Sequence, residues 1–158
     1  MLDLISPVND VFRRDIPVDD PDSLLDPNES TTALEAGEWL IADAVTGKAI
    51  RAGTLQTETN IMQVFSQRGD VAAQAIDKTA VLYLHDYEAE TDMFDPAPAI
   101  PYVLGLTLTV DQVAIDTVTR SALTSAATGD LVHGIVTKLP ANNRGKLRFI
   151  KTSPYVAL

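Results

Sequence analysis

Apolar positions along this chain recur mostly with a period of two, the spacing of strands whose two faces differ, and no stretch sustains the pattern of a long amphipathic helix. From Glu38 to Val45, Trp39, Ile41 and Val45 share one face with Asp43. Thr46-Gly47 then turns the chain into Lys48 to Ala52, which predicts a hairpin. Ile61 to Phe65 is a further short apolar run, and Gly69-Asp70 separates it from Val71 to Ile76, an alanine-rich piece compatible with helix or strand. Ala80 to His85 is apolar on both faces and is expected to be a central strand. From Pro101, Leu104, Leu106, Leu108 and Val110 fall on one face. Asp111-Gln112 reads as a tight turn into a partner strand carrying Val113, Ile115 and Thr117. Arg120 to Thr128, rich in Ser, Thr and Ala, reads as a surface loop or one short helix. Leu131 to Thr137 and Lys146 to Lys151 form a second hairpin across Pro140 to Gly145, and Pro154 is expected to end regular pairing.

About eight short strands punctuated by Gly, Pro and Asn predict an all-β fold. The expected form is a compact β-barrel or sandwich, β-tulip or jelly-roll-like, without solenoid repeats. The N-terminal segment breaks this pattern. Met1 to Ser30 carries eight acidic and two basic residues, with Pro7, Pro17, Pro21 and Pro27 spaced through it. Each proline removes a backbone donor and biases its predecessor toward extended geometry. Residues 1–35 therefore read as an extended arm and residues 36–158 as one β-rich domain. Leu4, Ile5, Val8, Val11, Phe12 and Ile16 give the arm apolar anchors, and Arg13 and Arg14 are its only cations. An anchored arm needs a surface to lie on, which points to assembly between chains.

Charge sharpens that picture. The net charge of -10, from 22 acidic and 12 basic side chains, disfavours nucleic-acid binding, which requires a positive surface. Residues 131–158 hold Lys138, Arg144, Lys146, Arg148 and Lys151 without an acid, opposite in sign to the arm. These ends could pair between copies or within one chain. The chain has no cysteine, which excludes disulfides and thiolate chemistry. The start lacks the pattern of a signal peptide and no run is long enough for an apolar membrane helix, so the expectation is a protein made in the cytoplasm, without a membrane partner.

Candidate chemistry is sparse. His85 and His133 both fall inside predicted strands and read as packed residues rather than catalytic bases. There is no Gly-x-Ser-x-Gly elbow, and the glycines form no phosphate-cradling cluster. Asp86 to Ala99 reads as a long acidic loop in which Asp86, Glu88, Glu90, Asp92 and Asp95 could suit a hard cation. In a calcium-hand frame, however, Thr91 and Ala97 replace the required glycine and glutamate. A solvated or partner-facing loop is the preferred reading. No catalytic residue, cofactor or metal site is assigned.

The arm, the cysteine-free β body with Glu38-Trp39-Leu40 before its first hairpin, and the closing Gly134-Ile135-Val136 and Gly145-Lys146-Leu147-Arg148-Phe149 resemble head decoration (cement) proteins of tailed bacteriophages. The resemblance implies a non-enzymatic structural virion protein on the outer capsid surface. It would form homotrimers and lock neighbouring major capsid protein subunits together. Alternatives are a tail-tube or head-tail connector subunit, or a carbohydrate- or calcium-binding β module.

Overall fold

The structure is a computed structural model that describes residues 2–6, 13–17, 34–42, 45–46, 48–51, 61–64, 78–82, 87–141 and 145–158. Every regular element among them is a strand. In chain order these are β1 (Leu2–Ser6), β2 (Arg13–Pro17), β3 (Trp39–Ala42), β4 (Ala49–Arg51), β5 (Ile61–Val64) and β6 (Lys78–Leu82). β7 (Tyr87–Thr91), β8 (Thr107–Ile115), β9 (Val118–Ser125), β10 (Leu131–Lys138) and β11 (Leu147–Val156) follow. They build a six-stranded sheet of order β1-β7-β11-β10-β8-β9 and a five-stranded sheet of order β2-β6-β5-β3-β4. All ladders within the sheets are antiparallel.

The fold is therefore all-β, and its sheets are not closed into a barrel. The stretch after β7 crosses to the far edge of the larger sheet. There Leu123 donates to the Met93 carbonyl at 3.2 Å and accepts from the Asp95 amide at 2.7 Å, forming one parallel bridge with Phe94.

Alternation decides which side chains enter the core. In β7, Tyr87, Ala89 and Thr91 are buried while Glu88 and Glu90 are half-buried. Leu147 and Phe149 of β11, Leu108 and Val110 of β8, Leu123 of β9 and Val136 of β10 join them, with Leu2 of β1. Trp39 arrives from the other sheet and completes the cluster. Its ring lies 6.3 Å from that of Phe149, which meets Tyr87 edge-on at the same separation. Each large apolar side chain buried this way contributes about 1.5–3 kcal/mol.

A buried polar link joins the two sheets. The Tyr87 hydroxyl donates to Gln63 Oε1, and Gln63 Nε2 donates to the Gly37 carbonyl at 3.2 Å. Only glycine suits position 37. Its φ is +101°, and a Cβ there would stand 2.6 Å from Thr91 Oγ1.

The hairpin expected over Glu38 to Ala52 is β3-β4, and the C-terminal hairpin is β10-β11. β6 lies between β2 and β5, the interior position expected of Ala80 to His85. Several boundaries differ from the sequence reading. Val45 is not on the Trp39 face but in the turn, exposed. Asp86 to Ala99 is not one loop: Tyr87–Thr91 is β7, held between β1 and β11. Charge obscured a period-two strand whose outward positions happen to be glutamates. β8 begins at Thr107 rather than Pro101, because Val103 to Leu106 forms a turn with Gly105 at φ +81°. Asp111-Gln112 lies within β8, and the hairpin turns at Asp116-Thr117, both at positive φ. Arg120 to Ser125 is strand rather than loop or helix. β11 runs past Pro154 to Val156, with a register shift opposite Val132 to Gly134 that accommodates a residue lacking an N–H.

The segment read as an arm supplies β1 and β2, one at an edge of each sheet. Leu2 is buried in the core. His85 and the ambiguous stretch Val71 to Ile76 lie outside the described residues.

Candidate functional site

The eight residues proposed as partner-binding separate into three groups. Leu4 and Ile5 lie in β1, pairing through Leu4↔Ala89 with β7. Arg13, Arg14 and Ile16 lie in β2, opposite Leu82, Val81 and Thr79 of β6. Val8, Val11 and Phe12 lie outside the described residues. The chain thus carries its N-terminal pieces to edges of two different sheets, where extended backbone can be added.

The described acids of the run are dispersed rather than gathered, and Asp86 lies outside the described residues. Glu88 Oε1 accepts from the Thr137 hydroxyl at 2.8 Å. Glu90 Oε1 accepts from Arg148 Nε at 2.9 Å, Arg148 Nη2 at 2.7 Å and Lys138 Nζ at 3.3 Å. The register explains this, since Glu90 stands opposite Arg148 and Arg148 opposite Lys138 on three adjacent strands. Part of the basic C-terminal stretch therefore finds its counter-charge within its own chain. Asp95 caps the Ala97 amide at 2.9 Å and accepts from the Thr124 hydroxyl at 3.0 Å. Among the described residues no group of three or more His, Asp or Glu is placed to hold a metal ion.

Hydrogen bonding to Arg148 holds the Glu90 carboxyl below its ordinary pKa, against a smaller opposing effect of burial, with Lys138 adding to the depression. A carboxylate with a depressed folded-state pKa stabilises the fold above its unfolded pKa, and that contribution is lost as pH falls through the folded value. The stability difference between wild type and Glu90→Gln is accordingly expected to be largest near neutral pH and to shrink below about pH 4.3. Urea titrations from pH 7 to 3 check this. A pH-independent difference would show that packing, not charge, is what Glu90 contributes.

A second network is deeper. Arg120 of β9 is buried and donates from Nη1 to Glu38 Oε1 at 2.6 Å and from Nη2 to Glu35 Oε1 at 2.7 Å. Glu38 is fully buried, and the same oxygen accepts from the Glu35 amide at 2.9 Å. With Leu34 and Ala36 also buried, this pins the chain to β9 just before β3 begins. Arg120 does not stand out in the sequence, because Arg120 to Thr128 reads as loop or helix. Arg120 to Ser125 is rich in Ser and Ala and has little strand propensity of its own, so the strand follows from its pairing with β8.

A cleft of about 490 Å³ lies beside this network, lined by Glu35, Asp92, Phe94, Ile115 and Asp116 among others. Its described lining holds three carboxylates, Glu35, Asp92 and Asp116, and no histidine, lysine or serine. His133 is buried in β10, away from that lining. The remaining unusual surface is apolar. Val103 and Leu104 project from the turn before β8 and are 55% and 66% exposed. Tyr102 holds that turn, with its hydroxyl 3.0 Å from the Asp95 carbonyl and 3.3 Å from that of Leu123. Burial, reinforced by the charge of Asp95, pushes the Tyr102 phenol well above its ordinary pKa, so it stays a donor at any physiological pH. No protein family, no curated protein and no solved structure matches the chain.

Proposed function

We propose that this chain is a structural virion protein that decorates the outer surface of a tailed-phage capsid and cements neighbouring major capsid subunits. It is made in the host cytoplasm and works as an assembly of copies, without catalysis. The two-sheet body is read as a β-sandwich-like scaffold, joined through Trp39 and the Tyr87-Gln63-Gly37 link. The observation that carries the reading is the placement of β1 and β2. A proline-punctuated N-terminal segment delivers strands to the edges of two sheets. Edge pairing of this kind draws affinity from main-chain hydrogen bonds and is open to use between subunits as well as within one. On a shell, many such modest contacts act together and resist internal pressure by multivalency.

The test is binding to purified mature heads that lack the protein. Saturation at a stoichiometry set by the capsid lattice, with a raised thermal rupture temperature of the heads, is the expected result. Failure to bind at any concentration overturns the reading. Rings or tubes formed by the isolated chain, seen by electron microscopy, would replace it with a tail-tube or connector role.

A further inference from the structure

The first strand of the chain is fastened along one side. β1 lies at the outer edge of the larger sheet and pairs with β7 through Leu2↔Thr91, Asp3↔Glu90, Leu4↔Ala89 and Ser6↔Glu88. Its anchor is Leu2, buried in the cluster that holds Trp39 and Phe149, while Ile5 is half-buried. An edge strand at a chain end can leave without breaking any pairing between the other strands of its sheet. Its departure would bare the edge of β7 and the place of Leu2. The occupant that fits this site is on view, because it is β1.

Six residues, 7–12, link β1 to β2, which lies at an edge of the other sheet. Pro7 opens this link, removing a backbone donor and biasing Ser6 toward extended geometry. Short, stiffened hinges of this kind invite exchange of a terminal element between copies. Charge does not select a second copy, since a net charge of -10 makes copies repel one another. Complementarity selects it: on a neighbour's β7, β1 makes the same ladder and fills the same core position that it does on its own.

Resting on the assembly reading above, we propose that copies of the chain are joined by exchange of β1, each copy's first strand pairing with β7 of another and seating Leu2 in that neighbour's core. Each copy gives one strand and receives one. Main-chain hydrogen bonds supply the affinity, and burial of Leu2 fixes the register, because a slip of one residue would turn it outward. Two copies that trade strands close a dimer, and copies that pass them on in one direction close a ring. No new surface has to be complementary. Every contact made on the neighbour is one given up at home, so the closed and exchanged forms differ chiefly in the hinge, in the repulsion between copies and in the entropy of association.

The chain has no cysteine, so introduced thiols report the pairing directly. Asp3 and Glu90 stand opposite each other in the ladder, where the Cα separation suits a disulfide. Full-length Asp3→Cys carrying a tag is mixed in equal amounts with untagged Glu90→Cys, refolded from urea and air-oxidised. A chain that keeps its own β1 never opposes these two thiols, because they sit on different molecules. Exchange does, so the tagged-to-untagged disulfide is expected to make up most of the cross-linked product on a non-reducing gel. A share no greater than random pairing of exposed thiols overturns the proposal. Ser6→Cys with Glu88→Cys serves as the pair if either first variant does not refold. Sedimentation equilibrium of the unaltered chain is the second readout. Association that strengthens with salt, which screens the repulsion, is expected, and a monomer at every concentration overturns the proposal. Neither experiment uses heads, so failure here is distinguishable from failure to bind a capsid.

Discussion

Replacing Arg120 with alanine is expected to lower the unfolding free energy by about 3–5 kcal/mol, the usual cost of removing one partner from a buried ion pair. The cost arises chiefly at Glu38. Its carboxylate is fully buried, so losing the guanidinium leaves a charge in the interior without the partner that offset its desolvation. Glu35 is about half exposed and can turn to water, so its share is small. For a chain of this length, melting is expected to fall by about 10 °C. Graded controls identify the cause. Arg120→Lys keeps the charge but not the two-point geometry and should lose less, while Glu38→Gln in the Arg120→Ala background should recover stability by removing the stranded charge. Equal losses in Arg120→Ala and the double variant would show that packing of the arginine stem dominates. Urea unfolding followed by tryptophan fluorescence suits the measurement, because Trp39 is the only tryptophan and is buried in the core.

Phe149→Ala should be comparably severe, at about 3–5 kcal/mol. The ring contacts Trp39 from one sheet and Tyr87 from the other, so its removal opens a cavity where the sheets meet. Phe149→Leu keeps most of the volume and is expected to cost much less. The strand opposite gives a sharper check. A Cβ on Gly134 would stand 3.1 Å from Phe149 Cδ2 and 3.2 Å from the Ile150 carbonyl, so this glycine makes room for the ring. Gly134→Ala alone should destabilise by overpacking. Combined with Phe149→Ala it should cost less than the sum of the two, since one contact is then relieved. Strict additivity would show that the ring does not require the glycine.

Much of the local structure was legible along the chain. β10 and β11 follow from alternating apolar residues on either side of a turn-rich stretch, and β3-β4 from the run around Trp39. Glu88 and Glu90 looked like members of an acidic loop because local reading equates charge with solvent, yet a half-buried strand can present charge on its outer face. Arg120 lay in a stretch with weak strand propensity, which pairing with β8 overrides. The candidate partner-binding residues stand out by composition alone, and the alternation from Leu104 to Val110 does not show the turn that Gly105 makes at Val103-Leu104.

The class of structure is written into the chain locally: strands rather than helices, no thiol chemistry, a net acidic charge and an N-terminal segment disposed to extended backbone. These follow from period, composition and proline, each of which acts within a few residues. Which charges are buried and which edges are covered depends on long-range packing. Glu38 meets Arg120 across 82 positions and Glu90 meets Arg148 across 58. Leu2 reaches the core only because β1 pairs with β7, far along the chain. Such contacts depend on sheet order, which short-range pattern does not encode because strands of similar alternation can pair in many orders. Burial of the shared core selects one.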